Sequence, residues 1–230
     1  MSDIPEHMLV RRRAVSKRYL SGDGVEIGAL HYPLWIDPKR ARVRYVDRLT
    51  VPELRLQYPE LDRYPLVPVD IVDDGERLSS QADASLDFIV GNHLLEHTEN
   101  PLGTLRNHLA KVHPGGFLYY AVPDKRFSFD IRRPLTPFEH LVKDDQEGPA
   151  GSRVGHFYEW SELVNKQERE AIGQDAQRLL EMNYSIHFHV WDEETFTDFL
   201  GRARDYLGVP FTVEHLSRND TEMLAVLRKP

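Results

Sequence analysis

The stretch SLDFIVGNHLLEHTENPLGTLRNHLAKVHPGGFLYYAVP, residues 85–123, alternates strand and helix within one short span. Asp87-Phe88-Ile89-Val90 is an apolar run that stops at Gly91-Asn92, the pattern of a parallel strand covered on both faces. Pro101 suits the first position of a helix, and Leu102, Leu105, Leu109 and Val112 keep helical spacing behind it. His113-Pro114-Gly115-Gly116 ends that helix, and Phe117 to Val122 reads as a second buried strand.

The same alternation extends on both sides. Strands are expected at 25–28, 43–47, 66–72, 87–91 and 117–122, with helical stretches between them. Such repetition builds a parallel sheet, and right-handed crossovers put every strand's carboxyl end on one edge, where ligands bind. Glu26, Asp47, Asp74 and Asn92 all fall on that edge. A strand running into Gly28 lets backbone approach a nucleotide closely. Asp47 ends the second strand, where a carboxylate accepts both ribose hydroxyls; the other reading of it is a helix cap. The string is not G-x-G-x-x-G, which argues against a dinucleotide dehydrogenase.

At 230 residues, 40% hydrophobic and 29% charged, the chain has the composition of one globular domain, 1–230, with room for an insert. It has no cysteine, which removes disulfides and thiolate chemistry. A net charge of −8 disfavours a nucleic-acid partner, and no apolar run is long enough for a membrane span or a signal peptide, so a cytoplasmic location is expected. The N-terminal segment 1–21 is expected to carry an amphipathic helix over 7–20, ended by Ser21-Gly22-Asp23-Gly24, which either packs on the sheet edge or closes over a ligand. A homodimer built on it stays open.

The residues 85–123 module, with Leu95-Glu96-His97, Pro101, Leu105 and Pro114-Gly115-Gly116 in order, resembles the class I S-adenosylmethionine-dependent methyltransferases, type-11 group. That resemblance implies an α/β, Rossmann-like seven-stranded sheet, mostly parallel with an antiparallel last strand, helices on both faces and a helical lid inserted after strand five. It implies S-adenosylmethionine as cofactor, with Glu26 near the methionine amino group, Gly28 under the methionine part, and Asn92 and His93 beside the sulfonium. Asp74 with Gly75 would take the adenine, with Asp73 or Glu76 as alternatives. Leu30 departs from the family's E/D-x-G-x-G pattern, standing where a second glycine is common. His97 is similar to a structural histidine of the family.

Residues 124–185 exceed an ordinary crossover and are expected to roof the edge as an acceptor-binding lid. A helix capped by Thr136, with Pro137 at N1, carries His140; His156 opens a longer helical region to about Met182, with a break at Gly173. In Ile186-His187-Phe188-His189-Val190-Trp191 an extended chain puts both histidines on one face. They read as metal ligands, as a base with its orienting partner, or as polar rim residues. An alcohol acceptor needs a base of near-neutral pKa, for which His140, His156 and His93 are candidates with Asp124 as a partner. Asp124, His187 and His189 are the candidate ligands of a Mg²⁺ acting as Lewis acid. Tyr158, Trp160, Trp191 and Phe127 suit stacking on sugar rings, so the acceptor is expected to be a saccharide hydroxyl. The alternatives are an aromatic or lipid-like metabolite, or a methyltransferase-like binding protein without catalysis.

Overall fold

The structure, a computed structural model, describes residues 4–230; the first three residues of the 1–21 segment lie outside it. The strands are β1 (Gly22–Ile27), β2 (Ala41–Asp47), β3 (Ile71–Val72), β4 (Leu86–Asn92), β5 (Val112–Pro123), β6 (Thr212–Asn219) and β7 (Glu222–Arg228). They form one seven-stranded sheet in the order β3-β2-β1-β4-β5-β7-β6. Pairings are parallel from β3 through β5, and β7 runs antiparallel to both β5 and β6. This is the Rossmann-like, mostly parallel sheet with an antiparallel last strand that the sequence resemblance implies.

The helices are α1 (Glu6–Tyr19), α2 (Val51–Gln57), α3 (Pro101–Lys111), α4 (Phe138–Glu147), α5 (Ala150–Leu163), α6 (Ile172–Glu181) and α7 (Glu193–Leu207). Side-chain alternation divides the sheet into two faces. Ile89, Leu118 and Tyr120 meet Leu102, Leu105 and Leu109 of α3 and Phe196, Phe199 and Leu200 of α7. Phe88, Val90, Tyr119 and Ala121 meet Val15 of α1 with Leu20 and Leu34 on the other. The helix α1 thus lies on a sheet face. Among the described residues no helix is long and apolar enough to cross a membrane.

Several boundaries differ from expectation, each for a local reason. The third strand shrinks to Ile71–Val72, because Pro68 has no N–H to give a ladder. Pro59 stops α2, which the sequence pattern alone would carry on to Tyr64, and a 3₁₀ turn over Pro59–Arg63 follows it. Leu95–His97 is a separate 3₁₀ turn, and α3 starts at Pro101, where the Asn100 side chain accepts the Gly103 N–H. Thr136 does not cap α4: its hydroxyl accepts the Val190 N–H at 2.9 Å, and Pro137 takes the cap position. The break in the longer lid helix falls between Leu163 and Ile172, before Gly173. Asp192 does cap α7, through a reciprocal box with Thr195.

A buried ion pair fastens α1 to the sheet. Arg12 is 3% exposed and Glu222, at the start of β7, is 0% exposed. The Arg12 guanidinium donates through Nε at 2.8 Å and Nη2 at 2.5 Å to the two carboxylate oxygens. Asn219 donates a third bond to Glu222 at 2.6 Å. Removing one partner strands a buried charge, so Arg12→Leu is expected to lower unfolding free energy by about 3–5 kcal/mol, read from urea denaturation.

Candidate active site

The carboxyl edge gathers the residues singled out above. Glu26 is fully buried at the end of β1, and its carboxylate accepts the Leu34 N–H at 2.9 and 3.0 Å and the Asn92 amide at 3.0 Å. Burial pushes its pKa up to about 7 against those bonds. The effect is to clamp the loop between Gly28 and Leu34 to the end of β4. Gly28 has φ +66°, and a Cβ built there would meet nothing within 4 Å, so the backbone borders open space. Leu30 has φ +51°. It adopts the left-handed turn for which glycine is the cost-free residue, so the loop keeps its shape despite the departure from the motif.

Asp47 ends β2 half-buried, with burial the main cause of its raised pKa, opposed by the Leu49 N–H at 3.3 Å and the Arg48 N–H on its carboxylate. Asp74 is exposed and accepts the Glu76 N–H at 2.9 Å. A Cβ on Gly75 would stand 2.7 Å from Ile27, so this loop must carry glycine to lie against β1. His108 steadies it, with Nε2 at 2.7 Å from the Gly75 carbonyl and Nδ1 at 2.8 Å from the Tyr120 hydroxyl. Asp73 is occupied by Ser80, and Glu76 by the N–H groups of Glu99 and Asn100, whereas Asp74 is exposed with Arg77 at 3.6 Å from its other oxygen.

His93, at the end of β4, sits between two carboxylates: Nε2 lies 2.9 Å from Glu222 and Nδ1 lies 3.2 Å from Glu96. Burial opposes its charge, but bonds to Glu222 and Glu96 outweigh it and raise the pKa to about 9. At neutral pH it is an imidazolium without a lone pair, which removes it as a general base.

Residues after β4 and in the segment between β5 and α7 bring histidines together in two groups. In the first, His187 Nδ1 lies 2.6 Å from Asp130, while Arg133 holds the other oxygen of Asp130 at 2.9 Å. His97 stands edge-on to His187 at 4.6 Å between ring centres, with Glu96 beside both. Burial, then the neighbouring His187, pulls His97 down to about 4, and its Nδ1 lies 2.9 Å from the Ile186 carbonyl, a structural role. In the second, His140, His156 and His189 meet at Asp144. Burial and His140 push His156 down to about 4.

Asp124 joins neither group. Arg126 binds its two oxygens at 2.9 and 2.5 Å and, against the effect of burial, holds its pKa below the usual range. The Asp124–His187–His189 metal set is therefore not assembled, and Asp124 is not positioned as a partner for a lid histidine. The aromatic expectation also shifts. Trp191 is 2% and Trp160 8% exposed, both built into cores, whereas Phe129, 53% exposed, packs on His187 at 4.7 Å. Arg218 covers one face of Phe127 at 4.3 Å. Sequence reading gave no ion-pairing role to Arg12, Glu96, Asp130, Asp144 or Glu222. Asp144 had a signal, lying four residues after His140 on a helix; Arg12 and Glu222 had none.

A family model described as a methyltransferase domain matches residues 33–203, well over half of the chain. The chain belongs to the methyltransferase-domain family. It is a class I S-adenosylmethionine-dependent methyltransferase, and S-adenosylmethionine is its cofactor. A methyltransferase from Mesorhizobium loti is 13% identical with a TM-score of 0.54, over 96% of this chain and 97% of that one. A Thermotoga maritima methyltransferase is 12% identical with a TM-score of 0.50, over 97% and 88%. A Rhodobacter sphaeroides chain named for Zn-dependent alcohol dehydrogenases is 14% identical with a TM-score of 0.55, over 96% and 90%. At these identities the likeness shows the fold alone. No curated protein matches the sequence. The edge fits the cofactor: Gly28 leaves room, and the buried Asn92 Oδ1 has no donor of its own.

The raised pKa of His93 sets a sign for stability against pH. Its folded value of about 9 lies above the ordinary 6.5, so the pairing stabilises fully below about pH 6.5 and is lost as pH rises through about 9. The melting-temperature gap between wild type and His93→Gln is expected to be widest below that window and to close above it. Thermal melts across pH measure this.

Proposed function

We propose that this methyltransferase methylates a hydroxyl of a saccharide, with His187 as the proton acceptor. The observation that carries the reading is the Asp130–His187 pair, 2.6 Å apart, with the exposed ring of Phe129 against it. An aspartate that accepts the Nδ1–H sets the tautomer and leaves Nε2 with a lone pair for an acceptor's proton. A flat apolar face beside a polar group suits a sugar, whose C–H face stacks while its hydroxyls bond. The same lid would serve an aromatic metabolite less well, because its best-placed polar groups would have nothing to read. The acidic chain argues against nucleic acid as the acceptor.

For the cofactor, Asp47 would accept the ribose hydroxyls, Asp74 the adenine amino group with the Gly75 N–H beside it, and Gly28 would pass under the methionine portion. Asn92 Oδ1 would accept from the methionine ammonium, with Glu26 shaping the loop. When bound, the cofactor supplies an electrophilic methyl group. What the chain adds is position and a base, since an alcohol attacks only as its proton leaves. His140 and His156, the other base candidates, face each other at Nε2 and serve this role less well.

Calorimetric titration with S-adenosylhomocysteine is expected to show binding that Asp47→Ala weakens by about tenfold or more, the loss of at least one charge-assisted bond. Transfer of labelled methyl from S-adenosylmethionine to mono- and oligosaccharides, with and without Mg²⁺, tests the acceptor. His187→Gln should bind S-adenosylhomocysteine normally and lose about a hundredfold or more in kcat. Transfer to phenols but not sugars, or cofactor binding with no turnover, would overturn the saccharide reading.

A further inference from the structure

We infer that His140, Asp144, His156 and His189 bind a Zn²⁺-class transition-metal ion that fastens the lid. The four come from three separate elements. His140 and Asp144 lie one turn apart on α4, His156 comes from α5, and His189 comes from the extended segment before α7. His140 Nε2 is 3.1 Å from His156 Nε2 and 3.1 Å from Asp144 Oδ2. The imidazole rings stand edge to face around one point, with centres 5.0, 5.6 and 5.3 Å apart. One donor atom from each residue lies within 4.8 Å of all the others. Four ligands at Zn²⁺ bond lengths would be spaced about 3.3 Å apart, so little closure is needed.

Proton counting favours an ion over a hydrogen-bonded cluster. A ring nitrogen carries at most one hydrogen, yet His140 Nε2 faces both an imidazole nitrogen and a carboxylate oxygen. His189 is 1% exposed, and its Nε2 lies 3.3 Å from the Glu99 carbonyl. That contact places the hydrogen on Nε2 and leaves the Nδ1 lone pair buried with no partner. It is also the outer bond that orients a metal-bound imidazole. Asp144 is 2% exposed; Ser152 donates to one oxygen at 2.7 Å, and no donor is aligned on the other. Two orphaned buried acceptors beside two facing nitrogens cost stability unless a cation sits among them. Three imidazoles and one carboxylate suit Zn²⁺ and disfavour Mg²⁺, which takes oxygen ligands. Four protein ligands close the coordination sphere, the mark of a structural site. The inference stands independently of the acceptor and of His187.

The test uses tag-free full-length protein stripped with a chelator and dialysed against Zn²⁺, with metal measured by plasma mass spectrometry. Wild type is expected to retain about one ion per chain and to melt higher for it. His156→Gln and Asp144→Asn should lose that ion, while His113→Gln, on β5, should keep it. Co²⁺ in the wild type should give the intense visible bands of a tetrahedral N/O site, a readout that needs no variant to fold. Retention no greater than that of His156→Gln, or a pale octahedral Co²⁺ spectrum, would overturn the proposal.

Discussion

A carboxylate with no solvent contact must be met by positive charge, and Glu222 sets that requirement for much of this protein. Its neighbours answer from two directions, Arg12 from α1 and His93 from the end of β4. His93 then extends the charge to Glu96, which is also buried. The chain of alternating charges joins the first helix, the antiparallel strand and the loop that follows β4. Burial opposes ionisation of Glu222, yet Arg12 and His93 together bring its pKa down to about 2. The carboxyl edge is therefore shaped by a core of fixed charges, and the loops that face the cofactor are built around them.

Above that edge the chemistry is divided between neutral and charged histidines by their surroundings. His93 is charged because two acids flank it, whereas His97, His108 and His156 are kept neutral mainly by burial. The lid adds buried acids of its own, Asp130 and Asp144, each committed to a different histidine group. One sequence string, His187-Phe188-His189, supplies both groups. Phe188 between them packs edge-on against His156 and Phe157, which locks the segment against α5.

The sheet was legible because it rests on local patterns. Apolar runs ending at Gly28, Asp47 and Asn92 announced strands and their ligand-facing ends, and Pro101 announced α3. The edge acids followed from strand ends alone. Illegible features depend on how side chains turn and pack in three dimensions, which no sequence period records. The separation of Asp124 from the lid histidines is decided by Arg126, two residues away but turned back onto it. Tertiary packing took Trp160 and Trp191 into cores and left Phe129 exposed. Proline placement shortened the third strand and α2, an effect visible in the sequence but outweighed there by apolar content.

The pairing of Arg12 with Glu222 spans 210 positions of sequence. Along the direction of protein synthesis Arg12 precedes its partner, which is made only after β1 to β6. Until then α1 offers a cation to a surface that does not yet hold its anion. Its apolar side can rest on β4 and β5 in the meantime, but its buried arginine cannot. Docking of α1 through its buried arginine therefore requires β7 to be in place beside β5.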